Sequence, residues 1–200
     1  MLAPPTSTRR IAEVKVETTK LPGVLIIDPV VHRDSRGFFV ERYQARTYSE
    51  HALPLEFVQD NHSWSVKGTL RGMHLQLSQP QGKLVYVLEG SIFDVAVDVR
   101  VGSSSFGQWV GVELTSDNFR QLYIPPGFAH GFCVTSDQAD VLYKCTDYYL
   151  PGDEITIPWN DPDIAIQWPV SNPLLSQKDA SGLQLRHVLS RLPRYKDEGG

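Results

Sequence analysis

The chain is poor in cysteine, with only Cys133 and Cys145 among its 200 residues. Two thiols do not make a disulfide-dense scaffold, so a reducing cytoplasm is the expected setting, with a structural pairing of the two left open. Long apolar runs are also missing: none approaches the roughly 20 residues that a membrane span needs. The first ten residues, Met1 to Arg10, lack the apolar stretch of a secretion signal. Nor is there an excess of positive charge. Nineteen Lys and Arg against 23 Asp and Glu leave a net charge of −4, which excludes a general electrostatic field for nucleic acid. An anionic small molecule would have to be gripped by a local cluster of Arg and Lys. Helical periodicity is scarce as well, with Thr47 to Ala52 predicting a turn or two and Leu183 to Leu192 a short C-terminal helix.

What is present is an ordinary globular composition, 41% hydrophobic and 21% charged, long enough for one domain with a sizeable core. Residues 1–20 are Pro-, Ser- and Thr-rich and then charged, which reads as an arm or tail. Residues 21–181 read as one domain and 182–200 as a second tail. From about Gly23 to Leu175, short apolar runs are broken by Gly, Pro and Asp, the spacing of an all-β sandwich or barrel. The clearest run is Ser91 to Arg100. Phe93, Val95, Val97 and Val99 share one face, and Asp94, Asp98 and Arg100 share the other with Ile92 and Ala96, as in a half-buried strand. Gln81 to Glu89 and Phe106 to Leu114 behave similarly.

Two His-containing stretches carry the candidate chemistry: Gly68-Thr-Leu-Arg-Gly-Met-His74-Leu-Gln76 and Pro125-Pro-Gly127-Phe-Ala-His130-Gly131. Their spacing is that of the two cupin motifs, which place side chains inside a jelly-roll barrel. In a metal-binding cupin the first motif holds His-x-His and a following Glu. Here Gln76 occupies the second His position and Glu89 lies too far along. Only His74 and His130 remain of that ligand set, a poor site for Zn or non-haem iron, so no metal is expected.

Nine strings in order extend the likeness, among them Arg36-Gly-Phe-Phe-Val-Glu41, Phe57-Val-Gln59-Asp-Asn61, Leu70-Arg71-Gly-Met-His74, Gln81-Gly-Lys83, Leu142-Tyr143-Lys144 and Gln177-Lys178-Asp179. Together they cover about residues 21 to 180, and the chain resembles the dTDP-4-dehydrorhamnose 3,5-epimerases. The resemblance implies an all-β, cupin-type jelly-roll barrel with a few short helices. It implies an isomerase that needs no cofactor and acts on a dTDP-4-keto-6-deoxy sugar, inverting carbons 3 and 5 in the route to dTDP-L-rhamnose. By the same resemblance His74 is the base, supported by Asp179, Tyr143 donates a proton from the opposite face, and Lys83 lies by the ketone oxygen. The residue types suit those roles. A neutral imidazole accepts a proton near neutral pH, a phenol stays protonated there, and a buried cation stabilises a developing oxyanion.

Arg36 and Arg71 suit a pyrophosphate, because guanidinium forks match phosphate oxygens. The resemblance adds Glu41, Gln59, Asn61, His130, Glu154 and Lys178 as substrate contacts and Tyr149 as the residue that stacks on thymine. It also implies a homodimer in which an N-terminal segment, drawn from Val14 to Val16 or Val24 to Ile27, adds to the partner's sheet. Three other readings compete: a single-carbon epimerase on a related dTDP-sugar, a metal-dependent cupin, and a non-catalytic cupin that binds sugar nucleotides. One local conflict stands. On a regular strand Arg71 and His74 point to opposite faces, so both reach one ligand only if Gly72 forms a bulge or bend.

Overall fold

The period-2 runs become strands throughout. The computed structural model describes residues 13–51, 53 and 56–195. The chain runs through β1 (Lys15–Thr18), β2 (Leu25–Asp28), the hairpin β3 (Val31–Asp34) and β4 (Gly37–Val40), and helix α1 (Ala45–Ser49). It continues through β5 (Gln59–Val66), β6 (Leu70–Gln76), β7 (Lys83–Glu89), β8 (Ser91–Asp98) and β9 (Trp109–Thr115). Next come β10 (Gln121–Ile124), β11 (Phe128–Val134), β12 (Gln138–Cys145), β13 (Glu154–Thr156) and the single turns α2 (Gln177–Ala180) and α3 (Leu185–Val188).

A six-stranded sheet, in the order β1-β2-β10-β7-β12-β5, packs against a five-stranded sheet in the order β13-β6-β11-β8-β9. One apolar cluster lies between them, with Val85, Val87, Leu122 and Val141 from the first sheet and Ile92, Leu114, Phe128 and Phe132 from the second. This is the expected jelly roll. Two further clusters cover the outer faces. Tyr48 of α1 and Leu53 cover Ile27, Leu84 and Tyr123, while Ile164, Ile166, Leu185, Val188 and Leu192 cover Val95, Val97 and Val99.

Three expectations are corrected. β8 is not half-buried: its Val95–Val99 face lies under the C-terminal segment, and its Asp94 and Asp98 face, also fully buried, points into the barrel. Residues 182–195 do not trail away, because Leu185, Val188 and Leu192 are core residues. Lys15–Thr18, read as part of an arm, is a strand paired with the chain's own β2, which in turn pairs with β10. The helical expectations shrink to α1 and α3, and Ala52 lies outside the described residues. Among the described residues no helix is long and apolar enough to cross a membrane.

Candidate active site

β6 carries Arg71 and His74, and it is not regular. Against β11, Arg71 pairs with Phe132 and His74 with His130, so Gly72 and Met73 together stand opposite Gly131 alone. Cross-strand partners share a face. Phe132 packs in the inter-sheet core and His130, two residues away, points the same way, so the bulge turns both Arg71 and His74 into the barrel. Gly72 has a φ of +128°, and a Cβ there would lie 2.5 Å from Gly131 Cα. Glycine is the residue that fits this backbone.

His74 Nε2 lies 2.7 Å from Asp179 Oδ1. The same carboxylate accepts hydrogen bonds from Ser176 Oγ at 2.5 Å and from the Gly72 N–H at 3.2 Å. Burial alone would raise the Asp179 pKa, but the hydrogen bonds from His74, Ser176 and Gly72 outweigh it and hold the group down at about 2. An ionised carboxylate only accepts, so His74 carries its hydrogen on Nε2 and keeps the Nδ1 lone pair open. Glu154 Oε1 stands 3.6 Å from that Nδ1, beyond hydrogen-bond reach, and its carboxylate is ion-paired with Lys178. Lys178 and Asp179 are neighbours on α2, whose N-terminus is capped by Ser176. One helical turn therefore fixes the surroundings of both ring nitrogens.

His130 Nε2 lies 2.7 Å from Asp94 Oδ1, and the other Asp94 oxygen is buried with no hydrogen-bond partner among the described residues. Burial pushes the His130 pKa down, only partly offset by Asp94. Lys83 opens β7 on the face of Val85 and Val87 and shares a cleft lining with His74, Gln76, Gln81 and His130. Burial lowers its pKa too. No carboxylate is hydrogen-bonded to its Nζ among the described residues, and that atom lies 5.9 Å from the centre of the Tyr143 ring. Burial raises the Tyr143 pKa, so the phenol keeps its proton. Beside Tyr143 on β5, Gln59 Nε2 donates to Asn61 Oδ1, and Asn61 Nδ2 contacts Cys145 Sγ. Arg71 donates from Nε and Nη2 to Ser65 Oγ at 3.1 Å.

The layout has a chemical consequence. His74, His130 and Asp94 project from the five-stranded sheet, and Lys83, Tyr143 and Asn61 from the six-stranded one. Facing sheets lie about 10 Å apart, so a flat ring held between them meets an imidazole on one side and a phenol on the other. This is an arrangement for removing a proton from one face of a carbon and returning one to the other. The cupin metal position does not fit an ion: Gln76 spends its carboxamide on the backbone of residues 79, 148 and 150. The Nε2 atoms of His74 and His130 are occupied by Asp179 and Asp94.

Not every sequence-predicted residue converges here. Arg36 lies in a depression lined by the β3–β4 hairpin, and Glu41 in one beside Val14, Thr47 and His51. Arg36 is bonded to Asp34 at the tip of the exposed β3–β4 hairpin, beside exposed Phe38 and Phe39. Tyr149 is half exposed near the rim, its N–H donating to Gln59 Oε1. Ser176 and Ser65 are contacts that sequence reasoning did not place in the site, and Asp94, on the polar face of its strand, buttresses His130 there. For Asp94 a signal existed, since it shares its strand face with Ile92 and Ala96. Ser176 and Ser65 gave none: each lies close in sequence to its partner, Asp179 or Arg71, but a lone serine in a loop or strand carries no pattern that marks such a contact.

A two-sheet barrel of this sequence has close counterparts among known proteins. The sequence model described as dTDP-4-dehydrorhamnose 3,5-epimerase matches residues 18–187. The dTDP-4-dehydrorhamnose 3,5-epimerase of Pseudomonas aeruginosa is 52% identical over 171 residues, 84% of this chain and 94% of that one. A crystal structure of dTDP-6-deoxy-D-glucose-3,5-epimerase from Legionella pneumophila, in complex with dTDP-4-keto-L-rhamnose, superposes with a TM-score of 0.90 at 50% identity. It covers 92% of this chain and all of that one. The 3'-monoepimerase ChmJ of Streptomyces bikiniensis, in complex with dTDP-quinovose, superposes at 0.82 with 30% identity, covering 92% and 93%. Fold and sequence thus agree, and the chain belongs to the dTDP-4-dehydrorhamnose 3,5-epimerase family.

Proposed function

We propose that the protein converts dTDP-4-dehydro-6-deoxy-D-glucose to dTDP-4-dehydro-L-rhamnose by inverting carbons 3 and 5. Both carbons flank the 4-ketone, which acidifies their hydrogens. His74 Nδ1 removes the proton, and Asp179, already ionised, stabilises the imidazolium. The electron pair moves into the ring as an enolate whose oxygen meets the Lys83 ammonium. Tyr143 then delivers a proton from the opposite sheet, leaving the carbon inverted. Carbons 3 and 5 are equidistant from the ketone oxygen, so a ring reseated about that oxygen presents either to the same base. The observation that carries this reading is the 2.7 Å contact between His74 and Asp179 inside the barrel.

Arg71 and Lys178 hold the pyrophosphate, Tyr149 stacks on the base, and Gln59, Asn61, His130 and Glu154 complete the ligand contacts. The working form is a cytoplasmic homodimer. Support for the dimer comes from the β3–β4 hairpin, which exposes Phe38 and Phe39 and carries Arg36, with Glu41 just after it, on a surface open to another subunit. The test is incubation with substrate in D2O, read by NMR. Deuterium at both carbons is the expected result. Label at one carbon alone would mean a single-carbon epimerase, and none at either would refute the mechanism.

A further inference from the structure

The segment 147–150 bears two exposed tyrosines, Tyr148 at 61% and Tyr149 at 50%, yet three glutamines pin its backbone at four consecutive residues. Gln81 Nε2 donates to Asp147 O at 2.8 Å, and Gln76 Nε2 donates to Tyr148 O at 3.1 Å. The Tyr149 N–H donates to Gln59 Oε1 at 2.8 Å, and the Leu150 N–H to Gln76 Oε1 at 2.8 Å. Gln76 is only 5% exposed and also donates to Gln79 O at 2.7 Å. It thus uses its donor and its acceptor at once. A carboxylate has no donor to repeat this, and a neutral imidazole has one donor on a shorter arm.

The hold is on the backbone, and neither tyrosine ring stacks on another aromatic ring among the described residues. Stacking on a base gains affinity when the ring is fixed before the ligand arrives. We propose that Gln76, at the place where a metal-binding cupin carries a ligand His, is a positioning residue for nucleotide binding. With Gln81 it presents Tyr149 as a preformed stacking face. The inference rests on the reading that the ligand is a nucleoside diphosphate sugar. It places Gln76 in binding, not in proton transfer.

The test is a double-mutant cycle of Gln76→Met with Tyr149→Ala. Binding of dTDP is measured by titration calorimetry, and kcat and KM are measured with the sugar nucleotide. Losing three hydrogen bonds is expected to weaken dTDP about 10-fold and raise KM by a similar factor, with kcat within about threefold. In the Tyr149→Ala background the same change should add less than about twofold. An unchanged dTDP affinity, a fall in kcat as large as the rise in KM, or a full effect without Tyr149 would overturn the proposal. Should Gln76→Met not fold, Gln81→Met carries the same measurements with an expected two- to fivefold loss of about one hydrogen bond, and no loss overturns the proposal. A wild-type protein that fails to bind dTDP would sink the functional reading with it, whereas normal wild-type binding and a silent Gln76→Met sink this inference alone.

Discussion

Asp179→Asn tests the base most directly. Three donors converge on Asp179: His74 Nε2, Ser176 Oγ and the Gly72 N–H. Asparagine can keep its oxygen toward His74 and Gly72 and turn its amide toward the Ser176 hydroxyl, so the fold should survive. What disappears is a negative charge beside the ring that must become cationic. Taking the charge centres about 4 Å apart and an effective dielectric of about 20, the lost attraction is about 4 kcal/mol. At about 1.4 kcal/mol per factor of ten, that predicts a roughly 10³-fold fall in kcat. Deuterium wash-in at carbons 3 and 5 should fall by the same factor, because both report proton abstraction. Affinity for dTDP should stay within about twofold, since no nucleotide contact is assigned to Asp179. A variant exchanging within about tenfold of wild type would show that Asp179 does not support the base. The pH dependence adds a check with a definite sign. The folded pKa of about 2 lies below the ordinary Asp value of 3.8, so this group's stabilisation is full above that ordinary value and fades as pH falls toward 2. Asp179→Asn should flatten that acid limb of the denaturation curve.

Lys83→Met should lower kcat about 10²–10³-fold with dTDP binding retained, because it removes the cation aimed at the enolate oxygen; a loss under tenfold in steady-state assays would argue against that role. Tyr143→Phe should still let His74 exchange deuterium into the substrate while product formation falls at least about 10²-fold. Equal losses of exchange and turnover would remove Tyr143 as the donor. The depressed His130 pKa means that the unfolded chain takes up the proton first, so stability should fall as pH drops below about 6.5, by at most about 1.4 kcal/mol per pH unit. His130→Gln, which keeps a donor for Asp94, should shrink that slope in urea titrations, and an unchanged slope would assign it elsewhere. Gly72→Ala places a Cβ 2.5 Å from Gly131 Cα and should destabilise by about 3 kcal/mol, measured as a shifted denaturation midpoint.

The barrel was legible because strand alternation is a local signal. Val95, Val97 and Val99 announce a strand whatever covers them, and the Gly-x5-His spacing announces which barrel. What covers them was not legible. The Leu183 to Leu192 stretch reads as a short amphipathic helix, and only the packed structure shows it sealing the back of β8. The site divides in the same way. His74 and Asp179 are 105 residues apart, and no physical rule of sequence pairs them; the resemblance to the family did. Gly72, by contrast, followed from period-2 geometry once Arg71 and His74 were assigned to one ligand: two residues three apart on one strand cannot share a face unless an extra residue is inserted, and the bulge opposite Gly131 is that insertion.

On the proposed mechanism, the charges inside the barrel account for one lysine serving the oxyanion. Three carboxylates stand near the cleft. Asp179 is committed to His74, Asp94 to His130 and Glu154 to Lys178. Each is held by a group other than Lys83, whose ammonium is left without a hydrogen-bonded carboxylate among the described residues while burial strips it of water. A cation in that state gains most from a negative charge that forms in front of it and gains little from a neutral ketone. It therefore binds the enolate better than the substrate, which is the condition for lowering the barrel's reaction barrier. Lys178→Met should disturb this balance. With Glu154 uncompensated, its carboxylate becomes free to compete for Lys83, and kcat should fall. Glu154→Gln in the same chain should restore part of kcat, and a double variant no faster than Lys178→Met would refute the account.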